Sequence, residues 1–195
     1  MDKSQKRKEK IFEAALQCFN ETGFDKTSSE TIAARAQMSK GGLFHYFKSK
    51  KQLFLELFHY RVNKYFEQMK SCLKEDDSPE VKLQKLVAEA GKFLKRDEQF
   101  YKFCIEFLSM GVRDTEIRDI MTDFYKSSVT TFKNIIEEGV KCGKFEQDID
   151  VEKTARVFYL LVMGVFFTYF SINVDFDIFD QQNFQINRII KSMKK

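Results

Sequence analysis

The sequence predicts an all-α fold of about nine helices, and three observations carry that prediction. One proline and eight glycines in 195 residues leave too few turn formers for a β-sandwich. Apolar side chains recur at i, i+3, i+4 and i+7 in one segment after another, the period of a helix face. Cap-forming residues stand where those segments begin, as helix starts require. No strand-like alternation competes and no internal repeat is visible. An apolar content of 43% is enough for a core and argues against disorder.

Each element follows from its own residues. Ile11, Phe12, Ala15, Leu16 and Phe19 mark a first helix ending near Gly23. Thr27 and Glu30 have capping-box spacing and open a second helix that runs to about Ala36. Ser39 caps a third, from Lys40 to about Phe47. Ser49 and Gln52 repeat the capping-box spacing before a long fourth helix with an apolar stripe from Leu53 to Leu73. The acidic run EDDSPE is a loop, with Pro79 at the first position of the fifth helix. A sixth carries Phe100, Phe103, Cys104, Phe107 and Leu108 and ends near Gly111. Thr115 caps a seventh that runs to Gly143, and an eighth spans Val151 to Ile172. VDFDIFD reads as a loop, and a ninth helix runs from near Gln181 to Met193.

Charge separates the chain into two parts. Residues 1–50 carry ten Lys and Arg against six Asp and Glu, whereas the remainder balances at 23 of each. The whole net charge of +4 therefore lies in the first quarter, which fits an N-terminal contact with nucleic acid attached to a neutral body. Cys18, Cys72, Cys104 and Cys142 form no C-x-x-C pair and sit in apolar helical patterns, so buried free thiols are expected. No apolar signal region precedes the first helix, and a cytoplasmic location is the expectation. Val157 to Ile172 is uncharged, but shorter than the ~20 residues a bilayer demands. Burial on two faces, against its own core and a partner, is expected there, with no membrane contact.

The stretch SKGGLFHYFKSK poses a problem of propensity. Two glycines at a helix start cost about 2 kcal/mol relative to alanine. Three short helices, a tight turn between the second and third, and a basic surplus describe a helix-turn-helix. There the N-terminal turn of the third helix enters a major groove, and Gly41 and Gly42 remove bulk where the backbone approaches bases and phosphates.

At this point TSSETIAARAQMSKGGLFHYFKSKKQLF resembles the DNA-binding segment of TetR-family regulators. Thr27-Ser28, Ile32-Ala33, Ser39-Lys40-Gly41, Leu43, Phe44, Tyr46-Phe47-Lys48 and Lys50 carry the match. The resemblance implies a TetR-like architecture: a helix-turn-helix DNA-binding domain at 1–48 and a helical ligand-binding and dimerisation domain at 49–195. It implies phosphate contacts from Ser28, Ser29, His45, Lys48 and Lys50, and groove contacts from Lys40, Gly41, Gly42, Phe44 and Tyr46. The Gly143-Lys144-Phe145 turn is similar to one in many members. Two positions depart from the pattern: Gln37 replaces the usual turn glycine, and Phe44 replaces a tyrosine, losing a hydroxyl but keeping a ring for a thymine methyl.

The leading function is then a repressor that binds a palindromic double-stranded DNA operator as a homodimer and is released by a small apolar or amphipathic effector. No cofactor is expected. Phe93, Phe103, Phe107, Met110, Phe124, Phe132, Phe158, Met163 and Phe166 are the candidate effector lining, and ordinary core is the plainer alternative. Glu89, Glu106 and Asp123 lie in or beside the same helices; a lone buried carboxylate would select a cation. Tyr159, Val162, Phe166 and Ile189 are the candidate dimer face. A helical carrier or an enzyme with a greasy pocket is the alternative class. His45 and His59 have no Cys/His cluster nearby, and no H-E-x-x-H motif, nucleophile–base pair or phosphate loop supports metal binding or catalysis.

Overall fold

The computed structural model describes residues 3–194, which form nine α-helices and no strand apart from an isolated bridge between Phe145 and Lys194. The helices are α1 (Lys3–Lys26), α2 (Ser29–Arg35), α3 (Lys40–Tyr46), α4 (Lys50–Ser71), α5 (Pro79–Arg96), α6 (Glu98–Gly111), α7 (Thr115–Lys141), α8 (Val151–Ser171) and α9 (Ile178–Met193). Two compact units result. The first holds the chain up to Lys64 together with Asp97–Arg118; the second holds Tyr65–Arg96 and the chain from Asp119 onward. Packing thus draws α6 into the unit of the helix-turn-helix, so the division at 48/49 does not coincide with a packing boundary. The outermost residues of that division, 1, 2 and 195, lie outside the described residues.

In the first unit, the aromatic side chains form one stack. Phe19 meets Phe54 edge-on at 5.1 Å, Phe54 meets Phe103 at 4.8 Å, and Phe58 lies flat on Phe107 at 3.9 Å. All five are buried. Burying rings of this size supplies much of what holds α1, α4 and α6 together. Polar ties fasten α6 to α1: Phe24 N donates to Glu106 Oε1 at 3.0 Å, and Asn20 Nδ2 donates to the Gln99 carbonyl at 2.8 Å. Arg61 on α4 pairs with both Glu13 and Asp97.

The second unit packs α5 against α8 and α9, and α8 against α9. The Gly143 turn ends α7 at a positive φ of 73°, a conformation glycine adopts without strain. Phe145 then folds back over Gly139, where a Cβ would lie 2.1 Å from its ring. Phe145 is fully buried, and Glu146 N donates to the Met193 carbonyl at 2.9 Å, which ties the turn to the end of α9.

Several expected helix starts shift by a residue or more. The cap of α2 is Ser28, whose Oγ accepts from Thr31 N at 3.0 Å. Thr27 is instead buried, and its hydroxyl bonds to the Gly23 and Cys18 carbonyls at 2.7 and 3.1 Å, closing the broken end of α1. Asp114 rather than Thr115 caps α7, through Glu116 N and Ile117 N. Asp177 caps α9 through Phe179 N and Asp180 N, so that helix begins inside the stretch expected to be a loop. Ser49 does cap α4, through Gln52 N. The Gln52 side chain returns to Lys48 N, one residue earlier than a capping box requires. All four cysteines are free, but only Cys18 is buried and Cys142 is exposed, because it lies past the end of α7.

Candidate nucleic-acid interface and effector region

The helix-turn-helix is built on Ile32, Ala33, Leu43 and Phe47, all buried, with Phe47 in ring contact with Phe12 at 5.5 Å. The turn closes as a Schellman motif, with Met38 N donating to the Ala33 carbonyl at 3.0 Å and Gln37 N to that of Ala34 at 3.0 Å. Gln37 has a φ of 54°, the left-handed conformation that its place in the turn demands and that a non-glycine residue adopts at some cost. Arg7 Nη2 donates to the Gln37 carbonyl at 3.0 Å and holds the turn against α1.

Packing α3 through Leu43 leaves the other sides of this helix open. Lys40, Gly41, Phe44, His45 and Lys48 are exposed, as is Ser28 at the start of α2. Gly42, Tyr46 and Ser29 are half-buried beside them. Phe44 is 39% exposed, with Lys40 Nζ over its ring at 5.9 Å, so an apolar ring and a cation share one surface. Lys40 also pairs with Glu30, whose carboxyl is held below its ordinary range by that hydrogen bond. Both partners are open to water, where such a pair is weak enough to be exchanged for another anion.

The two glycines are not equivalent. A Cβ at Gly41 would meet only Ser39 Oγ, at 4.0 Å, whereas one at Gly42 would crowd Met38 Cε and Ser39 Oγ at 3.3 Å. Gly42 also donates its N–H to Ser39 Oγ at 3.0 Å. The absent side chain at Gly41 therefore concerns the surface alone, and that at Gly42 concerns the cap as well.

Lys50 differs from the other expected phosphate contacts. Its ammonium donates to the carbonyls of Phe24, Thr27 and Asp25 at 2.6, 2.8 and 3.3 Å and lies over the Phe24 ring at 4.3 Å. It is half-buried and ties the end of α1 to the start of α4.

The nine residues expected around an effector fall into both units. Phe103 and Phe107 are fully buried in the aromatic stack of the first, and Met110 belongs to that unit too. In the second, Phe93 and Phe124 surround Tyr65, at 5.4 and 6.2 Å. Phe132 stacks on Phe158 at 5.4 Å, and Phe166 and Met163 lie on α8. None of the three carboxylates in or beside the same helices is both buried and unpaired. Glu89 accepts from Gln68 Nε2 at 2.8 Å and faces Lys92 and Arg96, Glu106 accepts from Phe24 N, and Asp123 is 80% exposed. Tyr65, part of the apolar stripe expected on α4, stands among these phenylalanines. Among the described residues, no group of three His, Cys, Asp or Glu could hold a metal ion.

The candidate dimer residues differ in their exposure within the single chain. Phe166 is 5% exposed and packs within its own chain, and Tyr159 turns inward onto Tyr125 at 5.0 Å. Val162 and Ile189 are half-buried. Within α8 and α9 the uncovered large apolar residues are Val157, Leu160 and Phe167 on α8 and Phe184 on α9, with Leu160 63% exposed. Val157, Leu160, Gly164 and Phe167 make one stripe, and the space beside Gly164 is empty to 4 Å. Because α8 is apolar on every side, its sequence alone could not rank these faces. By length and composition α8 could also cross a membrane.

Comparison with known proteins agrees with this anatomy. The model for bacterial regulatory proteins of the tetR family matches residues 11–57, and that for the YsiA-like protein C-terminal region matches residues 58–192. The chain belongs to the TetR family of transcriptional regulators, and it is not an enzyme. It is 22% identical over 149 residues to the fatty acid metabolism regulator protein of Bacillus subtilis, with 76% of each chain covered. It is 25% identical over 153 residues to the transcriptional repressor KstR2 of Rhodococcus jostii, covering 77% of this chain and 73% of that one. The crystal structure of the regulator FadR from Bacillus subtilis with stearoyl-CoA superposes with a TM-score of 0.81 at 20% identity, covering 94% of this chain and 98% of that one.

Proposed function

We propose that the protein is a ligand-responsive repressor that binds a palindromic DNA operator as a homodimer and leaves it when a small apolar or amphipathic effector binds. The observation that carries this reading is the outward face of α3, where Lys40, Gly41, Phe44 and His45 stand together, continued by Lys48 and flanked by Ser28. Such a surface meets phosphates through its lysines and serines and base edges through its ring and bare backbone. Residues 1–48 act as the DNA-binding part and 49–195 as the effector and dimerisation part. Lys50 serves the DNA contact by holding the end of α1 in place.

Homodimerisation is supported by the uncovered stripe of α8 and by Phe184 of α9. Two recognition helices must reach major grooves about 34 Å apart or farther, which one chain cannot do. An apolar interface of this kind buries more than roughly 2,000 Å² when it is obligate. A second copy, rather than a bilayer, covers α8. The protein works in the cytoplasm, where its operator is.

The effector reading draws on the second unit, whose helices carry an aromatic interior, with Glu89 paired to Lys92 and Arg96 and Asp123 exposed. One relative is named for fatty acid metabolism and a structural neighbour is described with stearoyl-CoA; a ligand with a long acyl chain fits the apolar rings here. Effector binding weakens operator binding, and by linkage DNA weakens effector binding by the same factor.

Fluorescence anisotropy with a palindromic duplex at several salt concentrations tests the DNA reading. Tight binding with a steep negative log–log salt slope is expected, and Lys48→Ala should flatten that slope by about 0.9. Binding that ignores salt, or that the substitution leaves unchanged in slope, would remove Lys48 from the contact surface.

A further inference from the structure

The first two turns of α1 carry five Lys and Arg against one Glu over residues 3–10. Successive helix positions turn by about 100°, so Lys3, Lys6, Arg7 and Lys10 fall within an arc of roughly 100°. Lys3, Lys6 and Lys10 are exposed, and none of the three has a hydrogen bond or ion pair with another described residue. Their neighbours are turned to α4: Lys8 pairs with Glu56, Glu9 accepts from Tyr60 Oη and Glu13 pairs with Arg61. The basic face lies on the side of α1 that carries the helix-turn-helix. Arg7 donates to the Gln37 carbonyl in the turn before α3. Glu21, on the same face about four turns further along, pairs with Arg35 at the end of α2. Cations crowded at a helix start oppose the positive end of the dipole, and at i, i+3 and i, i+4 spacing they repel one another. An acid stands in the first turn of α2 and of α5 to α9, but α1, α3 and α4 have none there and carry lysines instead. In α3, Lys40 is matched by Glu30. In α4, Lys51 is matched by Asp114 and Glu116, and Lys50 fills the carbonyls at the end of α1. The first-turn lysines of α1 have no such match among the described residues.

We propose that Lys3, Lys6 and Lys10 are a second phosphate-binding row, held in place by Arg7, that meets the DNA backbone bordering the groove α3 enters. This rests on the reading of α3 as the recognition helix. A row of unmatched cations beside the turn that leads into α3 is complementary to a polyanion placed along α3. Residues 3–10 span about 10 Å, and one DNA strand carries a charge per ~3.4 Å of axis, so about three phosphates lie along the row. Ammonium groups on phosphates act as point charges and carry no sequence information. The row therefore adds affinity and leaves the choice of sequence to α3. A lipid surface suits it less, because Ser4 and Gln5 stand beside the lysines where an interfacial helix would insert apolar side chains.

The test is fluorescence anisotropy over a range of salt concentrations, with the palindromic duplex that the full-length wild type selects from a random-sequence pool. The variant Lys3→Ala/Lys6→Ala/Lys10→Ala is set beside Lys70→Ala/Lys141→Ala/Lys144→Ala, which removes three exposed charges from the second unit. The α1 variant should bind about tenfold or more weakly at about 0.1 M salt, with a log–log slope less steep by about 2–3. Its preference for the selected duplex over a scrambled one should match the wild type, as should its circular dichroism, since alanine favours a helix. The second-unit variant should keep the wild-type slope. Replacing duplex phosphates one at a time by neutral methylphosphonates should find about two or three adjacent positions that weaken the wild type and leave the α1 variant unaffected. An α1 variant with the wild-type slope and the wild-type response at every phosphate would overturn this row and leave the reading of α3 standing. An equal fall in slope in the second-unit variant would trace the effect to net charge and overturn it too. If the wild type binds no duplex in a salt-dependent way, the reading of α3 fails and the row fails with it.

Discussion

Lys50 and Lys48 are two residues apart and spend their charge differently. Lys48 has an exposed side chain, and only its backbone N–H is engaged, by Gln52 Oε1 at 2.7 Å. Lys50 puts three hydrogen bonds onto carbonyls left open where α1 breaks at Gly23, whose φ is 77°. Carbonyls at a helix end have no partner within the helix, and an ammonium both fills them and opposes the negative end of the dipole. Replacing Lys50 by methionine keeps most of the stem and removes the donors. Urea unfolding should then show a loss of about 1.5–3 kcal/mol, the usual range for hydrogen bonds to a charged group. The salt slope of operator binding should stay as it was. A stable variant with a flattened slope would instead return Lys50 to the phosphate contacts. In sequence both lysines read alike, as basic residues after an aromatic helix. What separates them is the reach of one side chain to a loop 23 to 26 residues earlier, which no local pattern contains.

Helices are fixed at their starts by a repeated device, an aspartate accepting the first free N–H groups. Asp114, Asp150 and Asp177 do this for α7, α8 and α9. Each carboxyl lies below its ordinary value of 3.8: Asp114 chiefly through the Lys51 ammonium, Asp150 through Lys153 N, and Asp177 through Asp180 N. A carboxyl whose folded value is depressed stabilises the fold fully above its unfolded value, and that stabilisation is lost as pH falls through the lower, folded value. The stability of the wild type should therefore fall as pH drops below about 4. The Asp→Asn variants at these three places keep an acceptor without the titration, so their melting temperatures should fall less over the same interval. An identical acid limb in the variant would place the sensitivity elsewhere. Helix existence was plain from apolar period, but the caps were not. Thr27 looked like a capping residue and became a buried hydroxyl because α1 breaks four residues earlier and needs its carbonyls filled.

For the whole molecule, partnership centres on α8. Val157, Leu160 and Phe167 face outward, and Gly164 between them leaves room for a second helix to approach closely. A single charge in that stripe should be costly only if the stripe is covered. Leu160→Glu is therefore expected to shift sedimentation equilibrium from dimer to monomer at micromolar concentration and to weaken operator binding at least tenfold, while circular dichroism stays helical. A dimer that persists through this change would move the interface to another face.

Periodicity and composition alone determined that the chain is helical, roughly where each helix lies, and that its first quarter carries the basic surplus. Those properties are local: a helix face repeats every three or four residues, and charge is a matter of counting. The helix-turn-helix was legible for the same reason, since its turn, cap and aromatic positions fall within about twenty consecutive residues. Only the tertiary structure decided that α6 packs with α1, that Phe103 and Phe107 belong to the core of that unit, and that Tyr125 turns toward Tyr159. It also decided which side of α8 is left open. These depend on which apolar faces meet across a hundred residues of chain. An aromatic side chain looks the same in sequence whether it ends in a core, a binding wall or a partner's surface, because burial is a property of what packs against it.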